Sequence, residues 1–378
     1  MKIYKKAILP SGFQANGVAC GLKRSGKPDL ALLFSQAPAK AACLFTTNRI
    51  QAAPIKVNRD NLRTSGHFRA ILINSGNANC FTGPRGLKDA RDSAAFLAGL
   101  VGAKKADILV ASTGIIGKRL EVAKIKKAMP SVIKGLSKIK IGAAAKAILT
   151  TDNFTKEVTV RFNIGSKSVT ICGIAKGAGM IAPNMATMLA FILTDAQVQQ
   201  GALRLALRVA VENSFNCITV DGCMSTNDSV MMLANGCAGN AAIDTKKNFR
   251  IFLEALNMVC LELAQLIIRD AEGASKFIRI RVQSAKTPGE AKIVALSIAN
   301  SNLFKTAVYG QNPNFGRIAA AVGASGVDVK EENLKIGVSS LEKKDITVEV
   351  SLGRGSSCAT VYTSDLTPEY IKINAEYN

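Results

Sequence analysis

Apolar positions along the chain recur with two different spacings, which together predict strands alternating with helices. Residues 69–74 and 108–111 are short apolar runs, typical of strands buried on both faces. Between them, apolar residues return every three or four positions from Leu87 to Val101, which indicates a helix. Strand, helix and strand in this order predict a mixed α/β (α+β) fold built in layers.

The middle of the chain continues this alternation. Two β-patterned runs, 158–162 and 168–171, flank a Gly-Ser pair at 165–166, and this arrangement predicts a β-hairpin. Helical spacing follows over 197–211 and again over 248–268, where one face is strongly apolar. These elements extend the mixed fold past the middle of the chain.

The last third of the chain mixes the two patterns. Residues 277–282 alternate strictly, as in a strand with one buried face, and helical spacing follows near 292–303. Two late runs, 346–352 and 358–362, are predicted to form a hairpin around Gly353-Arg354-Gly355. We find no internal repeat and no Pro/Ser-rich linker, so the sequence does not locate a domain boundary.

The composition is that of a globular protein. Hydrophobic residues make up 48% of the 378 residues and charged residues 20%, far from the low hydrophobicity of disordered chains. We find no apolar run near the length of about 20 residues that a membrane span needs, and no secretory signal pattern after Met1. We therefore expect a cytoplasmic protein without a membrane partner.

A large positive charge raises the alternative of a nucleic-acid-binding protein. Lys and Arg number 49 against 27 Asp and Glu, which gives a formal charge of +22. The basic residues are scattered in ones and twos, and aromatic residues make up only 5% of the chain. A basic RNA-associated protein stays an alternative, but we expect a solvated basic surface and no nucleic-acid partner.

The side chains that usually drive acyl transfer or hold metals are scarce. None of the nine cysteines forms a C-x-x-C pair, which predicts reduced thiols and no metal site. The single histidine, His67, lies in a polar stretch typical of a surface position. An acyl-transfer enzyme with this sequence would need a base other than histidine.

A glycine-rich segment suggests such a base. It begins at Lys176 and leads through Ala186 to Thr187, although an ordinary turn before a β-strand also fits this pattern. A threonine hydroxyl is nucleophilic only when a base removes its proton. If the Thr187 hydroxyl attacked the carbonyl of Ala186, cleavage of the resulting ester would free an α-amine. That amine, with a pKa of about 7.7–8.0, could act as the general base.

Several sequence blocks resemble the self-cleaving ornithine acetyltransferase family and occur in the family's order. The blocks are 45–54, 74–79, 112–117, 176–191, 215–228, 269–274 and 310–318. The resemblance extends from near residue 13 to the C-terminus. It implies a layered α-β-β-α sandwich of the type found in self-processing ornithine acetyltransferases and aminopeptidases.

The resemblance implies a role for individual residues. Thr187 matches the nucleophile, both for cleavage of the Ala186–Thr187 bond and as the acetyl carrier. Thr113 and Gly114 match the pair that donates hydrogen bonds to the tetrahedral oxygen, the oxyanion hole. The family's substrate contacts match Thr150, Lys176, Thr187, Glu272 and Asn374.

The reaction and the assembly are also implied by the resemblance. Acetyl would pass from N2-acetylornithine through Thr187 to glutamate in cyclic arginine biosynthesis, with no bound cofactor and with acetyl-CoA as a further candidate donor. Residues 1–186 and 187–378 would be intertwined fragments of one globular unit with a smaller C-terminal subdomain, in a heterotetramer of two copies of each. The alternative is a self-cleaving aminopeptidase or amidase of the related fold, in which water takes the acyl group.

Overall fold

The structure, a computed structural model, describes residues 1–182 and 188–376. The described chain divides into two compact units, each with its own hydrophobic core. The first unit contains residues 1–177, 188–214 and 225–263, and the second contains residues 178–182, 215–224 and 264–376.

Strands and helices alternate along the first unit. Its strands are β1 (Lys2–Tyr4), β2 (Phe13–Val18), β3 (Leu30–Phe45), β4 (Phe68–Asn77), β5 (Ile108–Ile115), β6 (Lys156–Ile164), β7 (Lys167–Lys176), β8 (Leu189–Thr194) and β9 (Ser229–Ala234). Its helices are α1 (Ala53–Thr64), α2 (Gly83–Val101), α3 (Val122–Lys134), α4 (Ile141–Ala147), α5 (Gln200–Glu212) and most of α6 (Phe249–Arg269). The strands, helices and hairpin predicted up to residue 268 are confirmed.

The long strand β3 joins two layers of sheet in this unit. Its first half, from Leu30, pairs with β2 and β4, and β5 lies parallel to β4. Its second half, from Lys40 to Phe45, pairs with β9, and β8, β7, β6 and β1 follow in that order. Side chains of both layers share one apolar core, which includes Phe13, Leu33, Ile71, Phe191 and Leu233.

Helices cover the other face of each layer. On the first layer, Leu32 of β3 points away from the shared core and packs in a second cluster with Val57 of α1 and Leu97 of α2. On the second layer, α6 packs so closely on β7 that a side chain at Gly173 would lie 2.7 Å from Leu263 Cδ1. The order helix, sheet, sheet, helix confirms the predicted α-β-β-α layering.

Helix α6 has the length and apolar composition of a membrane span, which the sequence analysis did not find in this chain. By length and composition it could cross a membrane, with a mean hydropathy of 1.9 over its most apolar window. Half of that window is buried inside the protein, and Phe252, Leu256 and Leu263 are among its buried residues. Burial of this kind is typical of a core helix, which needs the same apolar residues as a membrane span.

The second unit contains a smaller sheet with helices. Its elements are β10 (Phe277–Ala285), α7 (Pro288–Ala299), α8 (Asn302–Tyr309), α9 (Phe315–Gly323), β11 (Lys335–Val338), β12 (Asp345–Ser351), β13 (Ser357–Ser364) and α10 (Pro368–Glu376). The helix predicted near 292–303 is interrupted, because Ser301 caps a new helix by accepting a hydrogen bond from Phe304 N at 3.3 Å.

The predicted hairpin of 346–352 with 358–362 is wrong. The strand order is β11–β12–β10–β13, so β10 lies between the two strands, parallel to β12 and antiparallel to β13. The connection passes over the end of β10, where Arg354 N donates to Ser284 O at 2.7 Å and Leu352 N to Gln283 O at 3.0 Å. The backbone groups that a hairpin would pair are instead satisfied by β10.

Candidate active site

Thr113 and Gly114 lie near the carboxyl end of β5, beside β4. The register of the two strands shifts between Gly76 and Asn77, opposite Gly114. Gly114 has a φ of 130°, and a Cβ there would lie 2.5 Å from Asn77 N and would collide with the backbone of Gly76. Both the dihedral angle and the lack of space require glycine at this position.

Buried amide side chains hold this strand end. Asn227 Nδ2 donates to the carbonyl oxygens of Ala78 at 2.6 Å and Ser112 at 2.7 Å. Ser112 Oγ donates to Asn74 Oδ1 at 2.6 Å, and Asn74 Nδ2 donates to Asn77 O at 2.9 Å. A buried network whose members are bonded to one another is rigid, so the backbone leading into Thr113 has one defined position.

The Thr113 hydroxyl has no hydrogen-bond partner within the described part of the chain, and the residue is only 4% exposed. A hydroxyl without a partner can still donate one hydrogen bond and accept others. The geometry therefore leaves this group available to a ligand oxygen, as an oxyanion-hole donor must be.

Lys176, the last residue of β7, is also buried and incompletely paired. Its side chain is 3% exposed, and Nζ lies 3.8 Å from Asp152 Oδ2, beyond hydrogen-bond distance. Among residues 1–182 and 188–376, Lys176 Nζ has no hydrogen-bond acceptor. A buried ammonium group needs an anionic partner, so this lysine is suited to binding a carboxylate.

The carboxylate of Asp152 connects Lys176 with Thr150. Oδ1 accepts hydrogen bonds from Lys156 Nζ and from Gly177 N, both at 2.7 Å, and Oδ2 accepts one from Thr150 N at 3.0 Å. Burial alone would raise the pKa of Asp152, but Lys176 and Lys156 outweigh it and hold that pKa well below its usual range. We call Asp152, Lys156 and Lys176 the Asp152 cluster. It brings together two of the predicted substrate contacts, Thr150 and Lys176.

Another buried carboxyl group, that of Asp228, contacts residue 188. Asp228 lies just before β9, and its Oδ1 accepts a hydrogen bond from Met188 N at 3.1 Å. Oδ2 has no partner among the described residues, and burial raises the pKa of Asp228 well above its usual value. Asp228 therefore holds the residue that follows Thr187 in the chain. Ala186 and Thr187 themselves lie outside the described residues.

Glu272 and Asn374 come together in the second unit. Asn374 Nδ2 donates to Glu272 Oε2 and to Tyr370 O, both at 3.0 Å. The backbone N–H of Glu272 donates to Ala178 O at 3.0 Å, and a Cβ at Gly179 would collide with the Glu272 carboxylate. Glycine at 179 therefore provides the space that the carboxylate occupies.

Asp221 anchors the segment that precedes residue 183. Its carboxylate accepts hydrogen bonds from Met180 N at 2.7 Å, Ile181 N at 2.9 Å and Tyr370 Oη at 3.1 Å. Burial and the negative charge of Asp221 raise the pKa of Tyr370, so the phenol stays protonated and donates. The backbone of residues 180–181 is therefore held by a side chain from a distant part of the sequence.

Sequence reasoning missed the roles of Asp152, Lys156, Asp221 and Asp228. Charged residues are usually solvated, and nothing in the local sequence shows that the side chains of Asp152, Lys156 and Asp228 are buried or that Asp221 is only partly exposed. The one available signal was that Asp221 and Asp228 fall in the 215–228 block. His67, by contrast, is exposed, as predicted. Within the described residues, no group of three Cys, His, Asp or Glu side chains is arranged to hold a metal ion.

Comparison with known proteins identifies the family. The ArgJ family model matches residues 14–343 and 338–378, nearly the whole chain. The chain belongs to the ArgJ family. The arginine biosynthesis bifunctional protein ArgJ of Geobacter sulfurreducens is 44% identical over 388 residues, which cover 97% of this chain and 98% of that protein. The ArgJ protein of Caldanaerobacter subterraneus is 43% identical over 397 residues, covering 98% of each chain. The family predicted from the sequence blocks is confirmed.

Two solved structures are each similar to about half of the chain. ArgJ from Bacillus halodurans is 35% identical, with a TM-score of 0.46, and the match covers 49% of this chain and 98% of that chain. The ornithine acetyltransferase from Mycobacterium tuberculosis, complexed with ornithine, is 37% identical, with a TM-score of 0.45 and coverage of 48% and 97%.

Proposed function

We propose that this chain transfers acetyl from N2-acetylornithine to glutamate through an ester on Thr187, after cutting its own backbone between Ala186 and Thr187. One observation carries this function. The ArgJ match extends over nearly the whole chain and so includes every residue of the proposed site. Family membership makes the chain an acetyltransferase of arginine biosynthesis, and its residues support a route through self-cleavage and an acetyl-Thr187 ester.

Self-cleavage comes first. The Thr187 hydroxyl attacks the Ala186 carbonyl carbon, the C–N bond breaks, and the nitrogen gains a proton and becomes an α-amine. Water then hydrolyses the ester and leaves Thr187 with a free hydroxyl and a free amine. Residues 1–186 and 187–378 become two fragments of one folded protein, and we expect two copies of each in a heterotetramer.

Acetyl transfer then follows a ping-pong course. The Thr187 amine takes the hydroxyl proton, and the oxygen attacks the acetyl carbon of N2-acetylornithine. The Thr113 hydroxyl and the Gly114 N–H donate to the tetrahedral oxygen, and ornithine departs with the proton. The amine of glutamate attacks the acetyl-Thr187 ester in the second half, and Thr187 regains its hydroxyl.

The two substrates would use the same contacts in turn. Both are amino acids with a free α-carboxylate, and the buried Lys176 ammonium, which has no hydrogen bond in the described chain, is suited to bind it. Thr150, Glu272 and Asn374 complete the proposed substrate contacts. No bound cofactor is required by this chemistry. Acetyl-CoA is a further candidate donor to Thr187, and a cytoplasmic location suits these soluble metabolites.

Denaturing electrophoresis with N-terminal sequencing tests the cleavage step. Wild-type protein should give two fragments, one of which begins Thr-Met-Leu-Ala-Phe, whereas Thr187→Ala should stay intact and inactive. Thr187→Ser, which keeps the hydroxyl, should still be cut. An uncut wild type with full activity would contradict the mechanism.

Product analysis separates the remaining alternatives. With N-acetylornithine and glutamate, the transferase gives N-acetylglutamate, whereas an amidase gives free acetate. Glutamate with acetyl-CoA tests the second donor.

A further inference from the structure

Asp152 is the residue on which the proposed binding groups of the first unit converge. Its two carboxylate oxygens contact the backbone at Thr150 and Gly177 and the side chains of Lys156 and Lys176. Thr150 and Lys176 are proposed substrate contacts, and Gly177 follows Lys176 directly. The side chain of Asp152 is wholly buried, so its carboxylate can act on a substrate only through these neighbours.

We infer that Asp152 is a positioning residue, and that Asp152 and Lys156 together keep the Lys176 ammonium oriented and available for the carboxylate of each amino-acid substrate. This inference rests on the proposed function and specifies how its binding site is built.

The geometry of the Asp152 cluster supports the division of roles between its lysines. Lys156 Nζ takes the short contact, 2.7 Å from Oδ1, whereas Lys176 Nζ stays 3.8 Å from Oδ2. An ion pair at hydrogen-bond distance would occupy Lys176 and would compete with a substrate carboxylate. Because Lys156 already binds the Asp152 carboxylate, that carboxylate stabilises the Lys176 ammonium by its charge at longer range. Lys176 therefore keeps its hydrogen-bond donors for a substrate.

The sharing of Asp152 between two lysines favours an anionic ligand at Lys176. Both ammonium groups are buried and face the Asp152 carboxylate, but only Lys156 lies at hydrogen-bond distance from it. A buried ammonium group without a hydrogen-bonded anion is costly, and a substrate carboxylate would supply that anion at Lys176.

Backbone contacts of Asp152 position the same groups. Gly177 N, at the end of β7, and Thr150 N, in the turn after α4, both donate to the carboxylate. One side chain therefore ties the two segments that carry Thr150 and Lys176. Displacement of this carboxylate would move both contacts together.

Steady-state kinetics of Asp152→Asn and Lys156→Met test the inference. Asn keeps the shape of the side chain, but its single oxygen cannot replace both Oδ1 and Oδ2, which accept hydrogen bonds from Gly177 N and Thr150 N, so Thr150 and Lys176 are displaced. Met leaves the backbone contacts of Asp152 intact, but it removes the short contact of Lys156 and lets Asp152 pair directly with Lys176, where it competes with a substrate carboxylate. In both variants we expect normal cutting at 186/187 and a KM about tenfold higher or more for both N-acetylornithine and glutamate, the scale of one charge-assisted hydrogen bond. The kcat should change much less.

Asp195→Asn is the matched control. Asp195 is another buried aspartate of the first unit, and its carboxylate accepts hydrogen bonds from Thr170 N at 2.8 Å and Ser11 N at 3.0 Å. This variant should lose stability without a rise in KM.

Three results would overturn the inference: an unchanged KM in Lys156→Met, a fall in kcat alone in Asp152→Asn, or an equal rise in KM in Asp195→Asn. If Asp152→Asn does not fold, Lys156→Met decides. A wild type that is uncut or transfers no acetyl would instead contradict the proposed function, before any variant is compared.

Discussion

Gly114→Ala is the sharpest test of the strand end that we propose as the oxyanion hole. The new methyl group would sit 2.5 Å from Asn77 N and would overlap the backbone of Gly76, so it cannot be relieved by rotating a side chain. The φ of 130° is strained for any residue with a Cβ. The end of β5 must therefore move away from β4, and the Gly114 N–H moves with it.

The loss of stability in Gly114→Ala has two sources, the strained φ and the collision of the new methyl group. A positive φ costs about 1–2 kcal/mol in a residue with a side chain, and forcing an extra methyl group into packed surroundings costs about 1–3 kcal/mol. We expect the free energy of unfolding to fall by their sum, about 2–5 kcal/mol. Displacement of one oxyanion donor lowers kcat by about 10²–10³.

Gly117→Ala provides the matched control. Gly117 lies three residues further along and also has a positive φ, 80°, but no atom lies within 4 Å of its Cβ position. This variant should lose only the strain term of about 1–2 kcal/mol, and its kcat should stay near that of the wild type.

On the cut enzyme, urea unfolding measures the free energy of unfolding, and steady-state acetyl transfer measures kcat. If Gly114→Ala matched Gly117→Ala in both stability and kcat, the collision and the placement of the donor would both be refuted. A loss of stability without a loss of kcat would refute the oxyanion role alone.

Three further variants test other parts of the site. Thr113→Val keeps the side-chain shape and removes a hydroxyl without described partners, so kcat should fall about 10²–10³ while thermal stability is unchanged. Gly179→Ala displaces the Glu272 carboxylate, the movable end of a side chain, so substrate KM should rise with little change in urea unfolding. The raised pKa of Asp228 makes its stabilising contribution complete below about pH 3.8 and lost as pH rises through its folded pKa. Between pH 5 and 9, the free energy of unfolding in urea should therefore decline less with pH for Asp228→Asn than for the wild type. If the two plots of this free energy against pH were parallel, Asp228 would not be the cause of the decline.

The pattern of apolar residues predicts where the strands lie better than it predicts which strands pair with each other. The period-two runs at 346–352 and 358–362 are strands, β12 and β13, but β10 separates them. Alternation reports which face of a strand is buried, whereas pairing depends on backbone groups that are the same in every residue. Nothing local in the sequence therefore distinguishes a hairpin from two neighbours of a third strand.

The candidate site divides in the same way. Thr113, Gly114, Lys176 and Glu272 could be named from the sequence because they lie in recognisable blocks. Thr150 and Asn374 lie outside those blocks and were named because they match substrate contacts of the family. That Asp152 would contact Lys176, or that Asn227 would hold Ser112, could not be predicted, since these contacts join residues far apart in the chain.

By itself, the sequence determined the family, the layered fold, the absence of a suitably placed histidine and the identity of the proposed nucleophile, because these follow from residue type, spacing and order. Only the tertiary structure decided which charges are buried. A lysine or aspartate has the same local sequence signature in water as in a protein interior, and packing of the strands around Lys176, Asp152 and Asp228 removes their solvent and gives them their altered electrostatics.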